Sequence, residues 1–171
     1  MSKFSVLSIL FISLRLYANE PSIALLHSIY NNYFLEFRVQ NYHFHCRPYG
    51  VIALDKLLDN ANVNSVCKER LQSFYRADPD SKDFTRNLLS VEQGYHLEFK
   101  EKGCALYASG QKTLSQMLLE NGLAIIEINF QDKEFQSLFE ESQRRAQSKR
   151  AGFWSDDVLK SCIYELYKEM P

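Results

Sequence analysis

Several sets of residues in this chain have types and spacings suited to chemistry. His43 and His45, with Cys46 beside them, alternate along an extended stretch, so the two imidazoles share one face. Such a pair suits zinc or copper, with His27 or His96 as the third ligand. Two half-exposed histidines on a sheet face are the simpler reading, and no metal site is assigned. A Cys-His nucleophilic pair is formally available, but no nucleophile-containing motif surrounds any cysteine. Arg144, Arg145, Lys149 and Arg150 follow Glu140 and Glu141 by one turn, the pattern of a solvated helix face laced with ion pairs. Tyr30, Tyr33, Phe34, Tyr42, Phe44 and Tyr49 crowd one stretch. Alternation sends about half of these rings into a core and leaves the rest free to stack on nucleic-acid bases.

The elements that must position these residues are readable from periodicity. Residues 33–39 are rich in β-formers, 40–41 make a turn and 42–47 alternate again, which is a hairpin. Residues 51–54 are a short apolar run. Val66, Leu71 and Phe74 have helical spacing over 66–75. Asp78-Pro79-Asp80 breaks that helix, and Asp80 or Ser81 is expected to cap another running through Leu89. Residues 95–99 alternate as a strand, 100–103 turn, and 104–107 return. A helix over 113–121 stops at Gly122 and is followed by an extended apolar run, 123–128. The last long helix, 133–150, carries Phe135, Leu138, Phe139 and Ser142 on its apolar face and is expected to stop at Gly152. Phe153-Trp154 then packs back as a plug. Beyond it, Leu159, Cys162, Ile163 and Leu166 share a face of one more helix, which either covers the barrel or docks a partner. Strands first, then helices around a second hairpin, predict an α+β fold that is mainly β barrel: a five-stranded OB-type barrel with three to four helices.

A chain of 171 residues fits one domain with a real core. Met1-Ser2-Lys3 followed by the apolar run 4–14 and Leu16-Tyr17-Ala18 reads as a secretory signal over 1–18, too short to span a membrane as a mature helix. Arg15 and Leu16 depart from an ideal cleavage site, and an uncleaved anchor is the other reading. Loss of Lys3 and Arg15 would move the formal net charge from -1 to about -3. A mildly acidic domain makes a poor non-specific nucleic-acid binder overall and leaves room for local basic patches. Cys46, Cys67, Cys104 and Cys162 show no CxxC spacing, against a zinc ribbon. In an oxidising compartment an even count permits two disulfides, in three connectivities.

Two phrases, LLENGLAII at 118–126 and EESQRRAQSKRAGFWSD at 140–156, resemble in this order the C-terminal half of the staphylococcal nuclease-like (thermonuclease) family. FTRNLL at 84–89 with the strand YHLEF resembles the family helix leading into its fourth strand, and RPYGVIALD at 47–55 resembles RLxGIDxPE. The resemblance implies calcium-dependent cleavage of DNA and RNA, with two aspartates for the metal, a glutamate to activate water and two arginines on the phosphate. Arg47 matches the first arginine. The other positions depart: one aspartate falls on Ile52, the other on Tyr33 in a turn reading Asn31-Asn32-Tyr33-Phe34, and the glutamate on Asp55. Asn31 or Asn32 would supply one weak carbonyl ligand. The loop holding the second arginine is reduced to Lys100-Glu101-Lys102-Gly103, where Lys102 is a poor substitute because it cannot make a bidentate contact.

The residue pattern predicts a signal over 1–18 and hence a periplasmic or secreted chain, the resemblance implies a barrel over 19–156, and 157–171 is expected as a helical extension beyond that core. Arg47 and Asp55 would be the catalytic remnants, and Tyr33, Tyr49 and Lys102 the binding residues. The barrel type makes the strands of Cys46 and Cys104 neighbours, which implies a Cys46–Cys104 bond and leaves Cys67 with Cys162. The function implied is a module with a degenerate active site that binds single-stranded nucleic acid or a protein without a cofactor. The rival is a divergent endonuclease that rebuilds a calcium or other metal site around Asp55.

Overall fold

The computed structural model describes residues 22–62 and 65–170, so the expected signal over 1–18 lies outside the described residues. Strands β1 (Ser22–Ile29), β2 (Leu35–Val39) and β3 (Tyr42–Cys46) form an antiparallel meander. The short β4 (Val51–Ala53) leads into α1 (Leu54–Asn60), then α2 (Val66–Ala77) and the single turns α3 (Pro79–Lys82) and α4 (Phe84–Leu88). Strands β5 (Gly94–Lys100) and β6 (Gly103–Ser109) make the second hairpin, with a two-residue β7 (Lys112–Thr113) at its edge. After α5 (Leu114–Glu120), strand β8 (Ala124–Ile126) pairs antiparallel with β4. The chain closes with α6 (Gln136–Lys149), a 3-10 turn over Gly152–Ser155, and α7 (Asp157–Lys168).

The main sheet runs β3-β2-β1-β5-β6-β7. Its two ends meet. Just past β3, Pro48 forms a parallel bridge to Cys104 on β6; the Cys104 amide donates to the Arg47 carbonyl at 3.0 Å and the Tyr49 amide to the Cys104 carbonyl at 3.2 Å. That junction turns five strands into the OB-type arrangement. A Cys46–Cys104 disulfide lies beside it, with Cα atoms 5.7 Å apart. Alternation fills the inside: Leu26, Leu35, Phe37, Leu97 and Leu106 are buried from four different strands. The fold is α+β, mainly antiparallel sheet, with eight strands and seven α-helices among the described residues. The helix count passes three to four because α3 and α4 are single turns and α1 is a short cover.

Local chemistry sets the boundaries. The cap of α3 is Asp78, whose side chain accepts from the Ser81 amide, not Asp80 or Ser81 as expected. Pro at the first helical position fits this better, since its missing N–H needs no partner. Thr113 and Gln116 cap each other at the start of α5. Helix α6 ends at Lys149 with Arg150 as its left-handed cap, φ 52°, in line with the expected helix over 133–150, and Gly152 follows in the turn beyond it. Its buried face is Phe135, Phe139, Ser142 and Ala146; Leu138 is exposed because it lies at the rim of the stripe. In α7 the face Leu159, Cys162, Ile163 and Leu166 is buried, and Cys67–Cys162 ties it to α2.

The two glycines at the ends of α5 and α6 touch. Gly122 and Gly152 both have positive φ, and a Cβ on either would lie 2.1–2.3 Å from the backbone of the other's neighbour. Gly152 therefore lets the turn before Phe153 and Trp154 seat both rings in the core, where Phe153 also donates its amide to the Gly122 carbonyl. Gly152→Ala is expected to cost roughly 2 kcal/mol or more, from left-handed backbone strain plus a backbone clash. Gly110→Ala, with positive φ but open space around it, should cost only the strain, about 1 kcal/mol. Urea unfolding under oxidising conditions measures both.

Candidate nucleic-acid interface

Arg47 leaves the barrel at its closure. Its carbonyl is held by Cys104, and a Cβ on Gly103 would sit 2.5 Å from that carbonyl, so only glycine permits the approach. The following Pro48 and the buried Cys46 hold the backbone on either side while the Arg47 side chain is exposed. Its guanidinium carbon lies 5.7 Å from the Tyr33 ring centre and 5.8 Å from that of Phe34. Lys56 Nζ, from the first turn of α1, lies 5.8 Å from the Tyr33 ring. Two cations and two rings thus form one half-open patch. The Phe34 ring extends it by stacking on His45 at 4.5 Å.

The β1–β2 turn presents these rings. Asn31 Oδ1 accepts from the Tyr33 and Phe34 amides at 2.9 and 2.8 Å, an Asx turn. Asn32 points inward and is fully buried. Its Nδ2 donates to Asp55 Oδ2 at 3.0 Å and to the Ser81 and Lys82 carbonyls, while its Oδ1 accepts from the Thr85 amide at 2.9 Å. Both asparagine oxygens are therefore engaged by backbone N–H groups, not free as metal ligands. Asp55 Oδ2 also accepts from Tyr75 Oη at 2.8 Å. Burial is the leading cause that raises the Asp55 pKa, with the Tyr75 and Asn32 bonds opposing it. Tyr75 is pushed well above its ordinary value by burial and by the Asp55 charge.

The expected site residues therefore divide. Arg47 and Tyr33 are brought together; burial raises the Tyr33 pKa while Arg47 opposes it. Asp55 is 6% exposed beneath Tyr75, inside the packing of α1, α2 and the β1–β2 turn. Ile52 is buried on β4 opposite Ile125. Tyr49 faces another cluster, edge-on to Phe130 and Phe135, and donates to Asp132 at 3.0 Å. Burial, then Asp132, pushes its pKa up to about 12. Lys100 lies beside it among Glu98, Asp132 and Glu134. Lys102 is exposed at the β5–β6 turn and shares a cavity of about 250 Å³ with Tyr49, Glu101, Glu127 and Phe130. Lys56 was missed from the sequence, although it directly follows Asp55.

His43 and His45 part company. His45 stacks on Phe34, while His43 Nδ1 lies 2.9 Å from Glu36 Oε1 and its ring meets His27 edge-on at 4.8 Å. Cys46 is in a disulfide. On α6, Arg145 pairs with Glu141 and Glu120, and Arg150 with Asp157, as a solvated helix face should.

The raised Asp55 pKa fixes a pH signature. A carboxyl group whose folded pKa exceeds its unfolded value favours the folded state most below the unfolded pKa, and that contribution is lost as pH rises through the folded pKa. Wild-type protein should therefore gain stability relative to Asp55→Asn as pH falls from neutral toward the ordinary carboxylate range. Urea titrations of the two proteins across that range read the difference.

Chemically, an exposed guanidinium between two rings suits a phosphate with a stacked base. Residues 79–156 match a family model described as staphylococcal nuclease homologue. The matched segment runs from α3 through the second hairpin, α5, β8 and α6 to Asp156, and lies downstream of Tyr33, Arg47 and Asp55. No curated protein sequence matches the chain. Over residues 79–156, which include the OB-type second hairpin and the Gly122–Gly152 contact, the chain is similar to the staphylococcal nuclease homologues.

Proposed function

We propose that this chain is an exported module that binds single-stranded nucleic acid through Arg47, Tyr33, Phe34 and Lys56, on a nuclease-like barrel whose cleavage chemistry is lost. The observation that carries the reading is the pairing of an exposed Arg47 with the Tyr33 and Phe34 rings, while Asp55 is buried and already bonded twice. A planar cation between rings contacts a phosphate and leaves a face for a base. A carboxylate under Tyr75 has neither the exposure to hold a hard cation nor a free approach to water. In the positions where the family's metal ligands are expected stand Tyr33 and Ile52.

Export rests on the residue pattern at 1–18 and agrees with the two cysteine pairs. No helix among the described residues is long and apolar enough to cross a membrane. The domain reading keeps 19–156 as the barrel and 157–171 as an added helix, with Lys102 a secondary phosphate contact beside the closure.

The test is fluorescence anisotropy with labelled oligo-dT and oligo-U, run over a salt series, beside a cleavage assay with calcium, other divalent ions and chelator. Binding should weaken about tenfold in Arg47→Ala, roughly 1.4 kcal/mol, and by a similar factor in Tyr33→Ala from lost stacking. Affinity should fall with salt for both oligonucleotides. Metal-dependent cleavage that vanishes in Arg47→Ala would establish the divergent endonuclease instead. Absence of binding to either oligonucleotide, from folded protein, would sink the nucleic-acid reading and leave a protein partner.

A further inference from the structure

We propose that His27, Glu36 and His43 form a binding site for one divalent transition ion of the zinc class on the outer face of the barrel. One ligand atom from each lies within 4.8 Å of the others. They come from three adjacent strands, β1, β2 and β3. Imidazole and carboxylate together suit zinc, copper or nickel, whereas calcium prefers an all-oxygen shell.

Backbone geometry aims these groups. The β1–β2 register is regular at Leu26–Phe37, then shifts before Ser28–Glu36, which makes His27 the extra residue of a β-bulge. Bulges re-aim side chains. Here the bulge turns His27 toward His43, whose ring it meets edge-on at 4.8 Å. Glu36 and His43 are diagonal neighbours across the β2–β3 pair, in which Glu36 faces His45 and Arg38 faces His43. Glu36 Oε1 lies 2.9 Å from His43 Nδ1.

Two further observations point to a ligand. His27 Nδ1 is enclosed and makes no hydrogen bond among the described residues, although Glu92 Oε1 stands at ion-pair distance, 3.5 Å. A polar nitrogen enclosed without a hydrogen bond is costly, and an ion would satisfy it. Tyr30 Oη donates to Glu36 Oε2 at 2.8 Å, which holds the carboxylate and leaves Oε1 toward the histidines. Such an outer partner is the usual support for a ligating carboxylate. Arg38, which faces His43 across the β2–β3 pair, is drawn to Glu92 at 3.6 Å. Ligand atoms on one tetrahedral zinc ion stand about 3.3 Å apart, so modest side-chain rotation closes the set. All four cysteines are in disulfides, so no thiolate competes.

The site differs from the patch around Arg47 and does not depend on it. Because β3 is an end strand of the main sheet, an ion held here would pin it to β2 and β1.

The experiment titrates zinc into the oxidised full chain by calorimetry, with thermal unfolding and copper EPR alongside. One zinc per chain is expected, with a rise in Tm and with nitrogen hyperfine coupling from copper. His43→Ala and Glu36→Gln should each weaken zinc binding tenfold or more and abolish the Tm rise. Tyr30→Phe should weaken it about tenfold through the carboxylate it holds. His45→Ala and His96→Ala should bind as wild type does. Absence of stoichiometric zinc, unchanged binding in His43→Ala and Glu36→Gln, equal loss in His45→Ala, or full competition by calcium would each overturn the proposal. Because His43 and Glu36 lie on the outer face, circular dichroism can establish that both variants are folded before binding is compared.

Discussion

The molecule depends on one junction, where the chain just past β3 meets the start of β6. Two backbone hydrogen bonds at Cys104, a parallel bridge to Pro48 and the Cys46–Cys104 disulfide join the ends of an otherwise open sheet. This junction lets Phe37, Leu97 and Leu106 share one interior. It also decides where Arg47 goes. With its carbonyl bound inward and no side chain on Gly103 to block the approach, its side chain emerges at the barrel mouth. The second hairpin supplies that junction with only a tight turn, Glu101-Lys102, between its strands.

A second constraint holds the helices. Gly122 and Gly152 approach each other's backbone so closely that neither tolerates a side chain. This locks α5 to the turn after α6 and carries Phe153 and Trp154 into the core. The third is polar. Asn32 spans four elements, bonding Asp55 on α1, carbonyls of α3 and the amide that begins α4 from its place in the β1–β2 turn. A buried network this complete stabilises only if every member is satisfied. Tyr75 supplies the remaining donor to Asp55. The Asp55 carboxylate thereby serves as a joint that fixes the turn bearing Tyr33 and Phe34.

The surface of the β1–β2–β3 meander is chemically continuous. Tyr30 contacts Glu36 on one side and Phe34 on the other, at 5.6 Å between ring centres. His45 stacks on Phe34, and Phe34 borders Arg47. One tyrosine therefore links the histidine-carboxylate group to the aromatic-cation patch, and any ligand on the patch lies near the imidazoles.

The amino-acid sequence by itself determined both hairpins, the helices α2, α5, α6 and α7 and the buried face of α7, because period-two and period-3.6 burial are written into local residue pattern; the short α1 and the split of 79–88 into two turns were not legible there. It also made Arg47 stand out, since a short phrase carries it. Leu138 and the cap of α3 were misread because rim position and proline geometry depend on what packs beside them. Only the tertiary structure decided which side chains share a site. Lys56 meets Tyr33, and His27 meets His43, through contacts between residues distant in sequence. Asp55 turns inward because Asn32 and Tyr75 converge on it from 23 and 20 residues away. Such meetings follow from closure, a bulge and buried hydrogen bonds, and none of these leaves a periodic signal in the chain.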